Sequence, residues 1–134
     1  MRSKINKIVY LKAEDLLLIH TAVIDETGGR DGVRDLNRIA IAVSHPQQIV
    51  FGNEIRSDIF LKAAAYGFDI MRYHPFVDGN KRTAMTVMGV FLELNGVILL
   101  TKKGLIEKAA VSSVEDKLSV EDIAKWLKKY SKYK

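Results

Sequence analysis

Nine consecutive residues, His74-Pro75-Phe76-Val77-Asp78-Gly79-Asn80-Lys81-Arg82, bring an imidazole, a carboxylate, a glycine, an amide and two cations together just ahead of a strongly apolar stretch. That mix suits phosphate. A helix N-terminus leaves backbone N–H groups unpaired and carries the positive end of the macrodipole, so a glycine-containing loop running into one seats phosphate oxygens. Gly79 gives the loop backbone freedom, Asn80 an amide to hold its shape, and Lys81 and Arg82 add full positive charges. Asp78 offers the hard oxygen that magnesium prefers, since that ion takes one or two carboxylates and lets substrate phosphates complete its shell. His74, at the loop entrance, is the candidate general base, a task performed most often by histidine.

Each of these residues has a plainer reading. Asp78 would cap the helix that follows, as Asp before a helix commonly does. His74 would be a core histidine, and Gly79 and Asn80 ordinary turn residues. Arg82 is too costly to bury unpaired, so if it points inward a phosphate or carboxylate must accompany it. His20 and His45 have no carboxylate or second ligand nearby in sequence and carry little functional weight. Arg34 and Asp35 read as a cap plus a surface ion pair, which is worth little. Thr83 and Thr86 read as helix packing, and Met85 and Met88 as core filler.

The surrounding elements must be helical. Apolar residues recur at helical spacing almost throughout, and alternating runs are short, which predicts an all-α bundle of about six helices. Residues 13–27 form the first, closed by Gly28-Gly29, and residues 35–43 the second, opened by Asp35 and broken by His45-Pro46. A long helix over 54–73 delivers His74. The next, over 81–95, is apolar nearly all round and belongs at the centre of the bundle, with Gly96 as its stop. Two more are expected at 102–114 and 120–130, the last behind a capping box at Ser119 and Asp122. A short extended lead-in covers residues 7–11. Between the second and third helices, residues 46–53 mix the β-formers Ile49, Val50 and Phe51 with the turn pair Gly52-Asn53, so a hairpin or flap is expected there. Its edge suits pairing with an extended target segment. Pro75 disfavours helical backbone at His74, so His74 and Asp78 are not two rungs of one helix face and do not read as a zinc pair.

With 134 residues the chain reads as one domain over 1–134, its core spanning about 8–127. The absence of cysteine excludes a disulfide framework or thiolate metal site and suits a cytoplasmic location. No signal peptide is expected at the N-terminus, and no apolar run is long enough for a membrane. The net charge of +5 invites a nucleic-acid reading. However, nine of the 21 basic residues lie in 1–12 and 125–134, leaving 12 against 16 acids in the body, a net of −4. Direct DNA binding is therefore not expected, because a phosphodiester groove gathers its cations within the fold. The basic ends read as solvated, with attraction of an acidic protein or RNA-bound target as the sharper alternative.

The nine-residue run resembles the signature of the Fic/Doc family. Most Fic proteins read HPFxDGNGR or have Glu for Asp; here Lys81 stands where the second glycine would be, a spelling similar to the Doc branch. The flanking stretches GVRDLNRIAIAVSHPQQIVFG and KAAAYGFDIMRYHPFVDGNKRTA also resemble that family, and the likeness extends roughly from Ile8 to Leu127. The resemblance implies the Fic/Doc helical fold, with His74 deprotonating a target hydroxyl, Asp78 holding Mg2+, and Arg82 contacting nucleotide phosphate. Lys81 implies a nucleotide that presents its γ-phosphate, so the expected activity is transfer of the ATP γ-phosphoryl group to a Ser or Thr of a protein. By the same resemblance that protein is elongation factor Tu and the outcome is blocked translation. Many Fic proteins silence themselves through a helix in which Glu is followed by Gly or Asn; no Glu here is so followed. The expected partner is thus a separate antitoxin acting in trans, with a tail that folds upon binding. Two alternatives remain open: AMP transfer through the same loop, and a non-catalytic nucleotide-binding module.

Overall fold

The computed structural model describes residues 7–100 and 119–134. Among them lie α1 (Ala13–Thr27), α2 (Leu36–Ser44), β1 (Ile49–Val50), β2 (Asn53–Glu54), α3 (Ile59–Tyr73), α4 (Asn80–Leu94), β3 (Val97–Leu99), α5 (Val120–Lys129) and β4 (Ser131–Tyr133). The architecture is all-α, with only two small antiparallel sheets, β1–β2 and β3–β4. The helix expected over 102–114 lies outside the described residues.

Polar caps decide where the helices begin. The Asp35 carboxylate accepts the N–H groups of Asn37 and Arg38, opening α2, and Ser119 and Asp122 exchange side-chain bonds that open α5, both as the sequence predicts. The third helix departs from expectation. Instead of starting at residue 54 it starts at Ile59, because β2 takes Glu54 and the Asp58 carboxylate accepts from Phe60 and Leu61 at 2.6 and 3.2 Å. Ile55, which fits the helical spacing, is half exposed and outside the helix.

The core forms where α3 crosses α4. Tyr66 and Ile70 of α3 and Ala84, Val87, Met88, Phe91 and Leu92 of α4 have no exposed surface, and Leu16, Ile39 and Leu127 complete the cluster from three other helices. A side chain at Gly67 would collide with Met88, so glycine lets the two helices approach. Close packing holds both axes in place, and the loop joining them therefore sits on a stiff mount.

Side chains stitch the lead-in, residues 7–12, to this core. Tyr66 Oη accepts the Leu11 N–H at 2.9 Å and donates to its carbonyl at 3.3 Å, while Asn95 makes the same double contact with Val9. Burial raises the Tyr66 pKa from 10.0 to about 12 despite the Leu11 backbone bond, which lowers it. The neutral hydroxyl is thus favoured by the fold; its contribution is complete below pH 10.0 and is lost as pH rises through about 12. Tyr66→Phe is expected to cost about 1–3 kcal/mol in urea unfolding at neutral pH, because it leaves two buried backbone groups unpaired. The variant should also lack the alkaline loss.

At the other end, the basic terminus is less free than its charge suggests. Residues 131–133 pair with β3, with Val97 opposite Tyr133 and Leu99 opposite Ser131, and the Lys134 N–H donates to the Gly96 carbonyl at 2.9 Å. The side chains of Lys132, Tyr133 and Lys134 remain exposed. No helix among the described residues is long and apolar enough to cross a membrane.

Candidate active site

The loop between α3 and α4, with the first turn of α4, holds the nine-residue run singled out from the sequence. Pro75 bars helical backbone at His74, so α3 stops there and His74 adopts a left-handed conformation, φ 47° and ψ 62°. That geometry costs a non-glycine residue about 1–2 kcal/mol and needs support. Arg34 supplies it: Nε and Nη2 donate to the His74 carbonyl at 3.1 and 2.7 Å, and Nη2 also reaches the Tyr73 carbonyl at 3.2 Å. A guanidinium at a helix C-terminus also meets the negative end of the dipole. Arg34 is therefore a clamp on the end of α3, correcting its reading as half of a surface ion pair. Asp35 does cap α2.

The segment before α2 pairs with the loop like a short strand. Pro75 O accepts from the N–H groups of Arg34 and Asp35 at 2.7 and 3.0 Å, and the Val77 N–H donates to Gly32 O at 3.0 Å. Phe76 plugs into the core, 1% exposed. The Asn80 amide closes the turn around it, Oδ1 accepting the Phe76 N–H and Nδ2 donating to the Phe76 carbonyl, both at 3.0 Å. Asn80 thus shapes the loop, with both ends of its amide engaged in doing so.

His20 was unpromising by its sequence neighbours, yet it sits under the loop. Its ring stacks on Phe76, centroids 3.9 Å apart and nearly parallel, and Nε2 donates to the Asp78 carbonyl at 2.8 Å. Nδ1 faces the Asp31 carboxylate at 3.6 Å. At 2% exposure it is a support for the loop, not a group that could meet substrate.

Asp78 does not cap α4. Its Oδ1 accepts the Gly79 N–H at 3.0 Å and its Oδ2 the Arg30 N–H at 3.1 Å, and α4 begins at the left-handed Gly79, φ 73°, with no side-chain cap. Gly29 permits this approach, for a Cβ there would lie 2.9 Å from Asp78 Oδ2. The N–H of Arg30, then that of Gly79, holds the Asp78 carboxyl below the usual carboxylate range, helped by the charges of Arg30 and Arg82. Asp78 is therefore ionised at neutral pH. Each oxygen has spare lone pairs facing solvent, which fits a hard divalent cation. No group of three or more His, Cys, Asp or Glu that could hold a metal occurs among the described residues, so protein alone would not complete a shell here.

The uncapped start of α4 leaves its first N–H groups available to an anion. Lys81, half-buried, and Arg82, exposed, follow on the first turn, and neither side chain bonds to protein among the described residues. The half-buried His74 imidazole is likewise unengaged. One short loop thus presents an anion seat, two uncommitted cations, an ionised carboxylate and an unengaged imidazole.

Comparison with known families agrees with this anatomy: the model of the Fic/DOC family matches residues 10–92, from the lead-in into the last turn of α4. The chain belongs to the Fic/Doc family. Toxin Doc of Mycolicibacterium smegmatis is 42% identical over 90 residues, covering 67% of each chain. Protein kinase doc of Escherichia phage P1 is 32% identical over 120 residues, covering 90% of this chain and 94% of that one. These likenesses support the Doc branch that Lys81 suggests. What the motif alone misses in this Fic/Doc chain is the support beneath it: His20, Gly29 and Arg34 lie 39 or more residues from the groups they brace or make room for.

Proposed function

We propose that this chain is the toxin of a toxin–antitoxin pair and transfers the γ-phosphoryl group of ATP to a Ser or Thr hydroxyl of a protein. The observation that carries the reading is the uncapped N-terminus of α4, flanked by Lys81 and Arg82 and joined to Asp78 and His74 through one braced loop. His74 takes the proton of the target hydroxyl as its oxygen bonds to the γ-phosphorus; the bond from that phosphorus to the bridging oxygen breaks, and ADP leaves. The N–H groups of Asn80 and Lys81, with the Lys81 and Arg82 side chains, stabilise phosphate charge. Asp78 would hold Mg2+, which neutralises phosphate charge when bound. Positioning and electrostatics suffice for such a transfer, so this small set is adequate. The names of the two relatives support a toxin with kinase activity. Elongation factor Tu is the proposed target, with arrested translation as the result, and a cognate antitoxin would inhibit in trans.

The flap formed by β1 and β2 is the proposed dock for an extended stretch of the target. Ile49, Val50 and Phe51 are exposed, Phe51 almost wholly at 97%. Phe51 also has positive φ, 52°, a costly conformation for an aromatic residue.

Incubation of the chain and elongation factor Tu with Mg2+ and ATP labelled at either the α or the γ phosphate tests the assignment. Label on the target from γ is the expected result. Label from α would show AMP transfer, and label from neither would leave a nucleotide-binding module.

A further inference from the structure

The flap is held by charge, not by apolar packing. All four of its strand residues are exposed, and an isolated two-stranded hairpin is marginal in water. Its two-residue turn, Phe51 and Gly52, has positive φ at both positions, the twist that suits tight hairpins. Beneath it, α3 buries two ionisable side chains. Lys62 is 1% exposed and Asp69 4%, and their spacing of seven residues puts them two turns apart on one stripe of the helix.

Both are spent on the base of the flap. Lys62 Nζ donates to the Pro46 carbonyl at 3.2 Å, on the incoming side, and to Glu54 Oε1 at 2.6 Å, on the outgoing side. Burial works against the ammonium, but the bonds to Glu54 and Tyr10 outweigh it and raise its pKa, so it stays charged. Asp69 Oδ2 faces His45 Nδ1 at 2.5 Å, just before Pro46. Arg56 adds contacts at 3.4 Å to the His45 carbonyl and the Gln48 side chain. Burying an ionisable side chain is costly, and an apolar residue of similar volume commonly does as well. Two such side chains of α3 converging on one exposed hairpin therefore mark a positional role.

We propose that Lys62 and Asp69 are positioning residues that pin both ends of the flap to α3, presenting its outer edge in one pose to the protein substrate. The pinning is a property of the fold alone; its use by a substrate rests on the function proposed above.

The test uses the full chain with Lys62→Met, Asp69→Asn and Glu54→Gln. Glu54 is half exposed, so its variant loosens the flap without entering the core. Chymotryptic cleavage after Phe51, followed by mass spectrometry on protein shown to be folded by near-ultraviolet circular dichroism, reads flap opening directly. Cleavage is expected to rise about tenfold or more in each folded variant, as local opening grows easier. Transfer of γ-label to elongation factor Tu is expected to show a raised KM for the protein with nucleotide binding unchanged. Cleavage within about twofold of the parent in the folded variants would overturn the pinning. Faster cleavage with an unchanged KM would overturn its use by the substrate. Should Lys62→Met not fold, Glu54→Gln and Asp69→Asn decide the matter. A parent protein that transfers no label would count against the proposed function, while the cleavage arm would still judge the pinning.

Discussion

Exchanging His74 for glutamine is expected to lower transfer to the protein target by roughly 100- to 10,000-fold, the usual worth of a positioned acid–base group, while nucleotide binding and folding persist. The expectation of intact folding comes from the contacts. It is the His74 backbone that the fold uses: its N–H donates to Ile70 O at 3.1 Å and its carbonyl receives Arg34, whereas its ring bonds to nothing among the described residues. Glutamine keeps that backbone and a polar side chain of similar reach but cannot serve as the base. Single-turnover transfer, with nucleotide affinity measured separately, checks both halves. Activity within tenfold of the parent would remove His74 from the chemistry, and a loss of nucleotide binding of the same size would make it a binding residue instead.

The contrast between Asp35 and Arg34 shows what could be read from the sequence alone. Asp35 acts on groups two and three residues away, so its cap on α2 follows from local rules, as does the Ser119–Asp122 box on α5. The apolar composition of α4 likewise announces its central place. Arg34, by contrast, reaches a carbonyl 40 residues on, His20 one 58 residues on, and the carboxylate opposite His45 belongs to Asp69. Such partners are set by how α1, α2 and α3 pack together, and no local pattern encodes them. The same holds for β4, three residues long and paired with a strand more than 30 residues earlier. Helical spacing misled once, at Ile55, because period 3.6 over a single turn does not distinguish a helix from a flap that merely borders one. The nine-residue run was legible because its members lie side by side. The framework that aims them was not.

Asp78→Asn tests that carboxylate as a cation ligand. Because Asp78 does not cap α4, the exchange removes no cap. As a ligand for Mg2+ it should change a great deal: residues that merely orient a metal ligand cost about 10- to 100-fold when replaced, and removing the ligand's own charge should exceed about 100-fold in transfer rate. Asparagine retains one acceptor oxygen for the N–H of Gly79 or of Arg30 but turns an NH2 group toward the other, so one of the two bonds is lost and the loop loosens on that side. The loss of transfer should appear as a raised Mg2+ requirement, with only a small fall of the thermal midpoint in the absence of metal. It should also be shared with Asp78→Ala and not with Arg34→Lys, a change at the clamp that leaves the carboxylate intact. If Asn at 78 transferred phosphate at the parental rate and Mg2+ dependence, the ionised oxygen beneath α4 would have no part in binding the cation. The electrostatic logic of the loop would then rest on Lys81, Arg82 and the helix N-terminus alone.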